Sequence, residues 1–413
     1  MRLPSAAALV LPLLAASALS ARAQEMRWNP RPSFRVGDAL RLDVRVKIQA
    51  DLQDFPSELG LDEDTFLWGR RRLGVEGTFL RDFEYRIERD FRGDGRWTDV
   101  FVNFGRLRAL QIRAGRFKLP FSVEQITSAM SLDFAYRPAV IRDLVPGRDT
   151  GAMVHGRLFE DTLALGYQAG VFRHDGDNSI FGTNPGAGTT VAARATLRPF
   201  RTMPEAASLA NLEAGAALVT GDVPDGPGPN SLRGRTIAGL PVLDRFYVNG
   251  RRSRFGAELN WEPGPAGLRA EFVRVWDGRI AQGPLGEDLP RLSAGGWYAS
   301  GTWVVTGEQK AGGVMPRRPL FQGGYGALEL AGRYERLQSG SDDGPGPTAP
   351  DPRSARVAER GLEAWTAGIN WYLNRWAKIQ LNAIRESYDD VERSPIPGKA
   401  GFWSAVCRFQ FVL

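Results

Sequence analysis

Most residue types that do chemistry are scarce in this chain, and one is abundant. There are two histidines, His155 and His174, and a single cysteine, Cys407, in 413 residues. That count excludes a histidine-rich metal site, and one cysteine gives an exported chain no intramolecular disulfide. A serine hydrolase needs a base beside its nucleophile. No Gly-x-Ser-x-Gly is present, and nothing places a serine near either histidine, so both read as ordinary hydrogen-bonding residues. The acidic turns "DGDN" (175–178) and "SDD" (341–343) read as solvated loops before they read as Ca²⁺ sites. No nucleotide loop and no Cys-x-x-Cys occurs, so neither enzyme activity nor a cofactor is expected. The abundant type is arginine. Lys and Arg together number 53, and the lysines are only Lys47, Lys118, Lys310, Lys378 and Lys399. Arginine keeps its charge at any ordinary pH and grips an oxyanion with two donors. The net charge of +6 is mild for this length and does not suggest nucleic acid.

The elements that must position these arginines have a period of two. In "LRLDVRVKIQ" (40–49), Leu40, Leu42, Val44, Val46 and Ile48 alternate with Arg41, Asp43, Arg45, Lys47 and Gln49. Only a strand puts the two sets on opposite faces. Such segments recur about sixteen times: 40–52, 66–80, 83–92, 97–105, 108–118, 150–158, 162–173, 187–198, 210–222, 252–262, 266–277, 293–306, 324–337, 360–373, 375–388 and 400–413. Most are about ten residues or longer, enough to cross a bilayer when tilted. The gaps alternate. Those after odd-numbered strands are mostly long and rich in turn formers, as in 223–251 and 338–359, and are expected to face solvent. Those after even-numbered strands are mostly short, as at 81–82 and Asn374. The long gap 307–323 and the short gap 93–96 break this rule.

One parity of each strand is nearly free of charge. Trp403, Ala405, Cys407, Phe409, Phe411 and Leu413 oppose Ser404, Arg408 and Gln410. Trp365, Ile369, Trp371 and Leu373 oppose Thr366, Asn370 and Tyr372. A charge on that face at mid-membrane would cost about 2–4 kcal/mol. Trp residues sit near turns, as an interfacial girdle requires. No stretch of 18 apolar residues follows the N-terminus, so the pattern argues for an all-β transmembrane, antiparallel, up-and-down β-barrel and against a spanning helix. The N-terminal run, with Arg2, an apolar stretch from Ala6 to Ala18 and Ala21-Arg22-Ala23, is expected to be a signal peptide cleaved after Ala23. Cleavage would remove two arginines and leave a net charge of +4. The expected organisation is signal peptide 1–23, a short N-terminal segment 24–38, and a barrel from 39 to 413.

The segments "RRRLGVEGTFLRDFEYRIERDF" (70–91), "IRAGRFKLPFSVEQITSAMSLDF" (112–134), "VPGRDTGAMVHG" (145–156) and "TAGINWYLNRWAKIQLNAIR" (366–385) resemble the phosphate-selective porin O and P family. So do 297–308 and 326–337, and the likeness extends from about residue 36 to the C-terminus. The resemblance implies a sixteen-stranded porin in the outer membrane of a Gram-negative bacterium. Such porins are usually homotrimeric and pass small anions such as phosphate or polyphosphate. The other readings are a general diffusion porin of weak selectivity and a structural or adhesive barrel acting through its loops.

In porins of this size the third long loop folds inward. Here that loop is 119–149, and its charges with Lys118 cancel, Arg137, Arg142 and Arg148 against Glu124, Asp133, Asp143 and Asp149. Phe121, Ile126, Phe134 and Tyr136 are expected to pack it on the wall. Strand parity puts Arg41, Arg45, Lys47, Arg70, Arg72, Arg113 and Arg408 inside, with Lys118 at the loop's mouth, as a path for solute. The competing reading is that these cations are neutralised by carboxylates and only brace the barrel. The resemblance carries the family's Arg-Arg pair onto Arg70 and Arg71, of which parity puts only one inside.

Overall fold

Alternation every second residue, sustained sixteen times, needs a sheet long enough to close on itself. The computed structural model describes residues 24–28, 31–61, 65–159, 164–176, 188–344 and 351–413. The expected signal segment 1–23 and the turn at 160–161 lie outside these. Two short N-terminal strands, β1 (Gln24–Trp28) and β2 (Pro32–Val36), pair as a hairpin. Then come β3 (Leu40–Asp54), β4 (Thr65–Phe79), β5 (Phe83–Asp90), β6 (Arg96–Phe104), β7 (Gln111–Lys118) and β8 (Arg148–Leu158). Next are β9 (Leu165–Phe172), β10 (Thr190–Leu197), β11 (Glu213–Val223), β12 (Gly250–Trp261) and β13 (Ala266–Arg279). The series ends with β14 (Leu289–Val304), β15 (Ala327–Ser341), β16 (Arg360–Tyr372), β17 (Ala377–Tyr388) and β18 (Gly401–Val412). From β3 to β18 each strand pairs antiparallel with the next, and β18 returns to β3, so sixteen strands close a barrel. The free edge of β3 is shared. β18 pairs with Lys47–Asp54, while β2 pairs with the preceding stretch, Val36 opposite Leu40 and Ser33 opposite Asp43.

All sixteen expected strands are present, displaced by a few residues at their ends; the largest shift moves the expected 324–337 to Ala327–Ser341. The two gaps that broke the length rule are real features. The turn between β14 and β15 is long, the one between β5 and β6 is short, and neither conceals a further hairpin.

The barrel is inverted relative to a soluble protein. Outward Trp365 and Trp403 are each 61% exposed, whereas inward Asn370 and Gln380 are 0% exposed. Burying polar groups while exposing indoles is favourable only where the outside is hydrocarbon. Outward aromatics form rows: Trp297, Tyr334 and Trp365 run across β14, β15 and β16 with ring centroids 5.2 and 4.6 Å apart. Around the β4–β5 turn, Phe79 stacks on Phe83 at 5.0 Å. No helix among the described residues is long and apolar enough to span a membrane.

The interior is partly filled by the segment between β7 and β8, which carries two short helices, α1 (Val123–Ile126) and α2 (Ala139–Leu144). Leu119, Phe121, Val140, Ile141 and Leu144 are fully buried and join Val273, Val275, Tyr298 and Leu337 in one apolar cluster. A Cβ on Gly256 of β12 would lie 2.8 Å from the tip of the Phe121 ring, so glycine there makes room for it. Phe134 is buried too, and Tyr136, half-buried, packs against Ile384 and Val406 of the wall as expected, but Ile126 is half-buried and lines the larger chamber, contrary to the expected packing.

A second correction concerns the loop after β11. Expected to be solvated, residues 224–249 fold back over the barrel mouth. Asn230 and Thr236 are each 1% exposed, and Phe246 and Val248 cluster with Val223, Leu292 and Val357. The cause is side-chain mimicry of backbone pairing. Asn230 Nδ2 donates to Val248 O at 2.8 Å, and Val248 N donates to Asn230 Oδ1 at 2.7 Å.

Candidate functional site

A loop inside a barrel carries backbone amides and carbonyls that need partners once water is excluded. The wall supplies them. Arg254 Nε donates to Leu144 O (2.8 Å), Arg333 Nη1 to Tyr136 O (2.8 Å) and Asn370 Nδ2 to Asp133 O (2.8 Å). Lys378 Nζ and Gln380 Nε2 both donate to Leu132 O, at 2.8 and 3.1 Å, and Gln410 Nε2 donates to Met130 O at 2.8 Å. In the other direction, Glu271, Glu335 and Asn382 accept from the amides of Glu124, Ala139 and Ala135, at 2.9, 3.0 and 2.7 Å. Six strands, β12, β13 and β15 to β18, therefore staple the loop to one side of the barrel. The open space is left against the other side, β3 to β8.

That space is a chamber of about 1080 Å³ lined by thirteen Arg or Lys and four Asp. A second chamber of about 590 Å³ lies on the opposite side of the loop. Arg45, Lys47 and Ser128 line both, which puts the neck between them. The tip of the 224–249 loop, Ile237 to Gly239, reaches the larger chamber as well.

The expected path residues divide by partner. Arg45 is paired with Glu76 and lies 3.5 Å from Glu88; Lys47 is 2.6 Å from Glu88. Arg72 holds Asp90 at 2.8 Å and Arg148 holds Asp99 at 2.8 Å. Arg408 grips Asp51 with two bonds, 2.6 and 2.7 Å. Arg41 lies 3.4 Å from Asp43 and lines neither chamber. Six cations of the larger chamber, Arg70, Arg92, Arg96, Arg113, Lys118 and Arg137, have no carboxylate at ion-pair distance among the described residues. Arg70 bonds only Gln49, and its Nε is buried without a partner. The Arg113 guanidinium carbon lies over the Phe101 ring, 4.5 Å from its centroid. Lys118 donates to the carbonyls of Gln125, Ile126 and Thr127 at 2.7, 3.3 and 2.8 Å. Arg137 donates to those of Glu124, Gln125 and Thr127 at 3.1, 3.4 and 3.1 Å. Of the Arg-Arg pair, Arg70 is the inward member and Arg71 is exposed on the outside.

The loop's charges balance in number but not in space. Glu124 is turned to the far wall, 2.7 Å from Arg269, and Asp143 is buried against Arg142 (2.8 Å) and Arg235 (3.3 Å). Asp149 accepts from the amides of Thr150 and His174, each at 2.6 Å. Asp133 lines the smaller chamber, paired with Lys310. Arg137, Arg142 and Arg148 face the larger one. Burial would raise the Asp133 carboxyl, but Lys310 and Arg269 outweigh it and hold it below the usual carboxylate range. Burial would lower Lys310, and Asp133 with Glu329 reverse that. Asp175, from the "DGDN" turn, is not solvated. It bonds Arg252 at 2.7 Å and Arg254 at 2.8 Å, and these outweigh burial to keep its carboxyl low.

Reasoning from sequence missed Arg86, Arg92 and Arg96 in the larger chamber, and Arg31 and Lys310 in the smaller. Parity with Glu88 and Asp90 could have found Arg86. Of the others, Arg92 and Lys310 come from turns, Arg96 only opens β6, and Arg31 belongs to the N-terminal segment, so no alternation marks their inward side. Of the two histidines, His155 lies 2.7 Å from Asn103 Oδ1, and His174 donates its amide to Asp149. No cluster that could hold a metal ion occurs among the described residues.

Comparison with known proteins gives a consistent answer. The model of the phosphate-selective porin O and P family matches residues 42–413. Porin O of Pseudomonas aeruginosa is 25% identical over 397 residues, covering 87% of this chain and 84% of that protein. Among solved structures, the outer membrane protein OmpT of Vibrio cholerae superposes with a TM-score of 0.57 at 10% identity, over 92% of this chain and 99% of that one. The outer membrane channel DcaP of Acinetobacter baumannii gives 0.56 at 11% identity, again over 92% and 99%.

Proposed function

Since the chain belongs to the phosphate-selective porin O and P family, and is an outer-membrane porin of a Gram-negative bacterium, we propose that it is a passive channel with a moderate preference for small anions. The observation that carries this reading is the set Arg70, Arg113, Lys118 and Arg137, four of the six cations facing one chamber without a carboxylate partner among the described residues. At 4 Å, one such charge attracts a monovalent anion by about 1 kcal/mol in bulk water and about 4 kcal/mol at an effective dielectric constant near 20. Attraction of that size replaces part of a hydration shell yet allows the ion to leave.

The same chamber supports breadth over tight phosphate specificity. Arg45, Lys47, Arg72, Arg148 and Arg408 are each neutralised by Glu or Asp and act mainly as braces. Phosphate and polyphosphate belong to the solutes proposed, together with other small oxyanions. The reading includes a homotrimer, in line with the family resemblance; the native mass of the detergent-solubilised protein tests it. A reversal potential across a planar bilayer in a KCl gradient tests the anion preference. A value on the chloride side is expected, and a cation-selective channel refutes the reading. Block of that current by micromolar phosphate would instead favour a dedicated phosphate pore.

A further inference from the structure

Porin turns at the short end of the barrel seldom have enough residues to reach the lumen, but the one between β14 and β15, residues 305–326, does. Lys310 N donates to Gly264 O at 2.8 Å, which fixes the turn to the neighbouring one. Val314 packs with Val304 and Ala327. From there the Lys310 side chain, 7% exposed, enters the barrel from below. Its ammonium donates to Asp133 Oδ1 of the constriction loop and to Glu329 Oε1 of β15, the latter at 2.5 Å. Glu329 is held in turn by Tyr372 Oη at 2.7 Å and Asn370 Nδ2 at 2.9 Å.

Asp133 is singular among the loop's carboxylates. Glu124 is buried against the far wall and Asp143 against Arg142 and against Arg235 of the 224–249 loop, whereas Asp133 lines a chamber. It is therefore the carboxylate of this loop that a passing anion would meet. We propose that Lys310 is a specificity-determining, positioning residue of the channel: it cancels the Asp133 charge and draws that carboxylate toward the β15 wall, so that the loop presents only its cations to the solute. The cation comes from the short-turn end of the barrel, so the constriction is set jointly by the loop above and the turn below. The proposal rests on the anion-preferring reading of the pore.

The test is the reversal potential of the full-length protein in planar bilayers under a KCl gradient. K310M removes the cation at ion-pair distance from Asp133 and Glu329, and the chloride-to-potassium permeability ratio is expected to fall about twofold or more. K310R should keep the parent's ratio, and K310M/D133N should recover much of the loss. An unchanged ratio in K310M, or a loss that D133N does not relieve, overturns the proposal. D133N alone, a near-isosteric change, decides the matter even if K310M does not assemble. The proposal expects it to leave the ratio close to the parent's, and a clear gain in anion preference overturns it. If the parent has no anion preference, the reading of function fails, while the shift between parent and K310M still decides the role of Lys310.

Discussion

Arg408 on the last strand and Asp51 on the first strand of the barrel sit opposite each other and form a two-pronged ion pair, 2.6 and 2.7 Å, across the seam where the sheet closes. Arg408 also donates to Ala135 O, so one side chain joins the seam to the constriction loop. Removing one partner of a buried pair strands the other charge. D51N is expected to destabilise the barrel by about 3–5 kcal/mol, read as a lower temperature for loss of the compact band in unheated electrophoresis. D51N/R408Q should be less damaged than D51N alone, and equal damage would show that the pairing is not what matters.

Arg70 and Arg41 were both expected in the solute path, but only Arg70 lines a chamber. R70Q should lower the chloride-to-potassium permeability ratio roughly fivefold, the equivalent of about 1 kcal/mol of Coulomb attraction. R41Q should leave it unchanged. Reversal potentials of the two variants, measured side by side, distinguish a local effect from a general loss of positive charge.

Gly256 leaves room for the Phe121 ring, and the missing methyl is what holds the loop close to β12. G256A crowds a fully buried contact, and overpacking of this kind costs about 1–3 kcal/mol. Lower thermal stability and noisier single-channel current are expected, because the loop must lift from its wall. A quiet current of normal size would mean the ring can relocate without moving the loop.

The Asp133 and Asp175 carboxyls are both held below the ordinary range by neighbouring cations. The stability they contribute is complete above the unfolded value, near pH 4, and is lost as pH falls through the lowered native values. The unfolding temperature in detergent should therefore be flat from pH 8 to pH 5 and drop by pH 3. A drop already between pH 8 and pH 6 would point to other groups.

Every barrel strand was legible in the sequence because the signal is repeated within each one: Leu40 to Gln49 states its two faces five times over. Parity also identified Arg45, Lys47, Arg70, Arg72, Arg113 and Arg408 as inward. It was silent on which of them keep their charge for a solute. Neutralisation depends on register between strands, as when Glu88 of β5 meets Lys47 of β3 across β4, and one strand's alternation carries no register. The fixing of the constriction loop was hidden for a different reason. Asn370, Lys378, Gln380 and Gln410 read as generic wet-lumen residues, yet each donates to a loop carbonyl. The folded-back 224–249 loop was misread because Gly, Pro and Asn suit a turn in water as well as a turn held by its own side chains.

The two chambers on either side of the neck differ in volume and in the number of cations they hold. Fixed charge graded along a conduit makes it an ionic diode: mobile ions accumulate under one polarity of applied voltage and deplete under the other. In dilute electrolyte the current–voltage curve of this protein should bend, and at about 1 M salt, where screening acts within roughly 3 Å, it should straighten. A cell carrying such a pore would take up and release solute at unequal rates under equal and opposite driving forces.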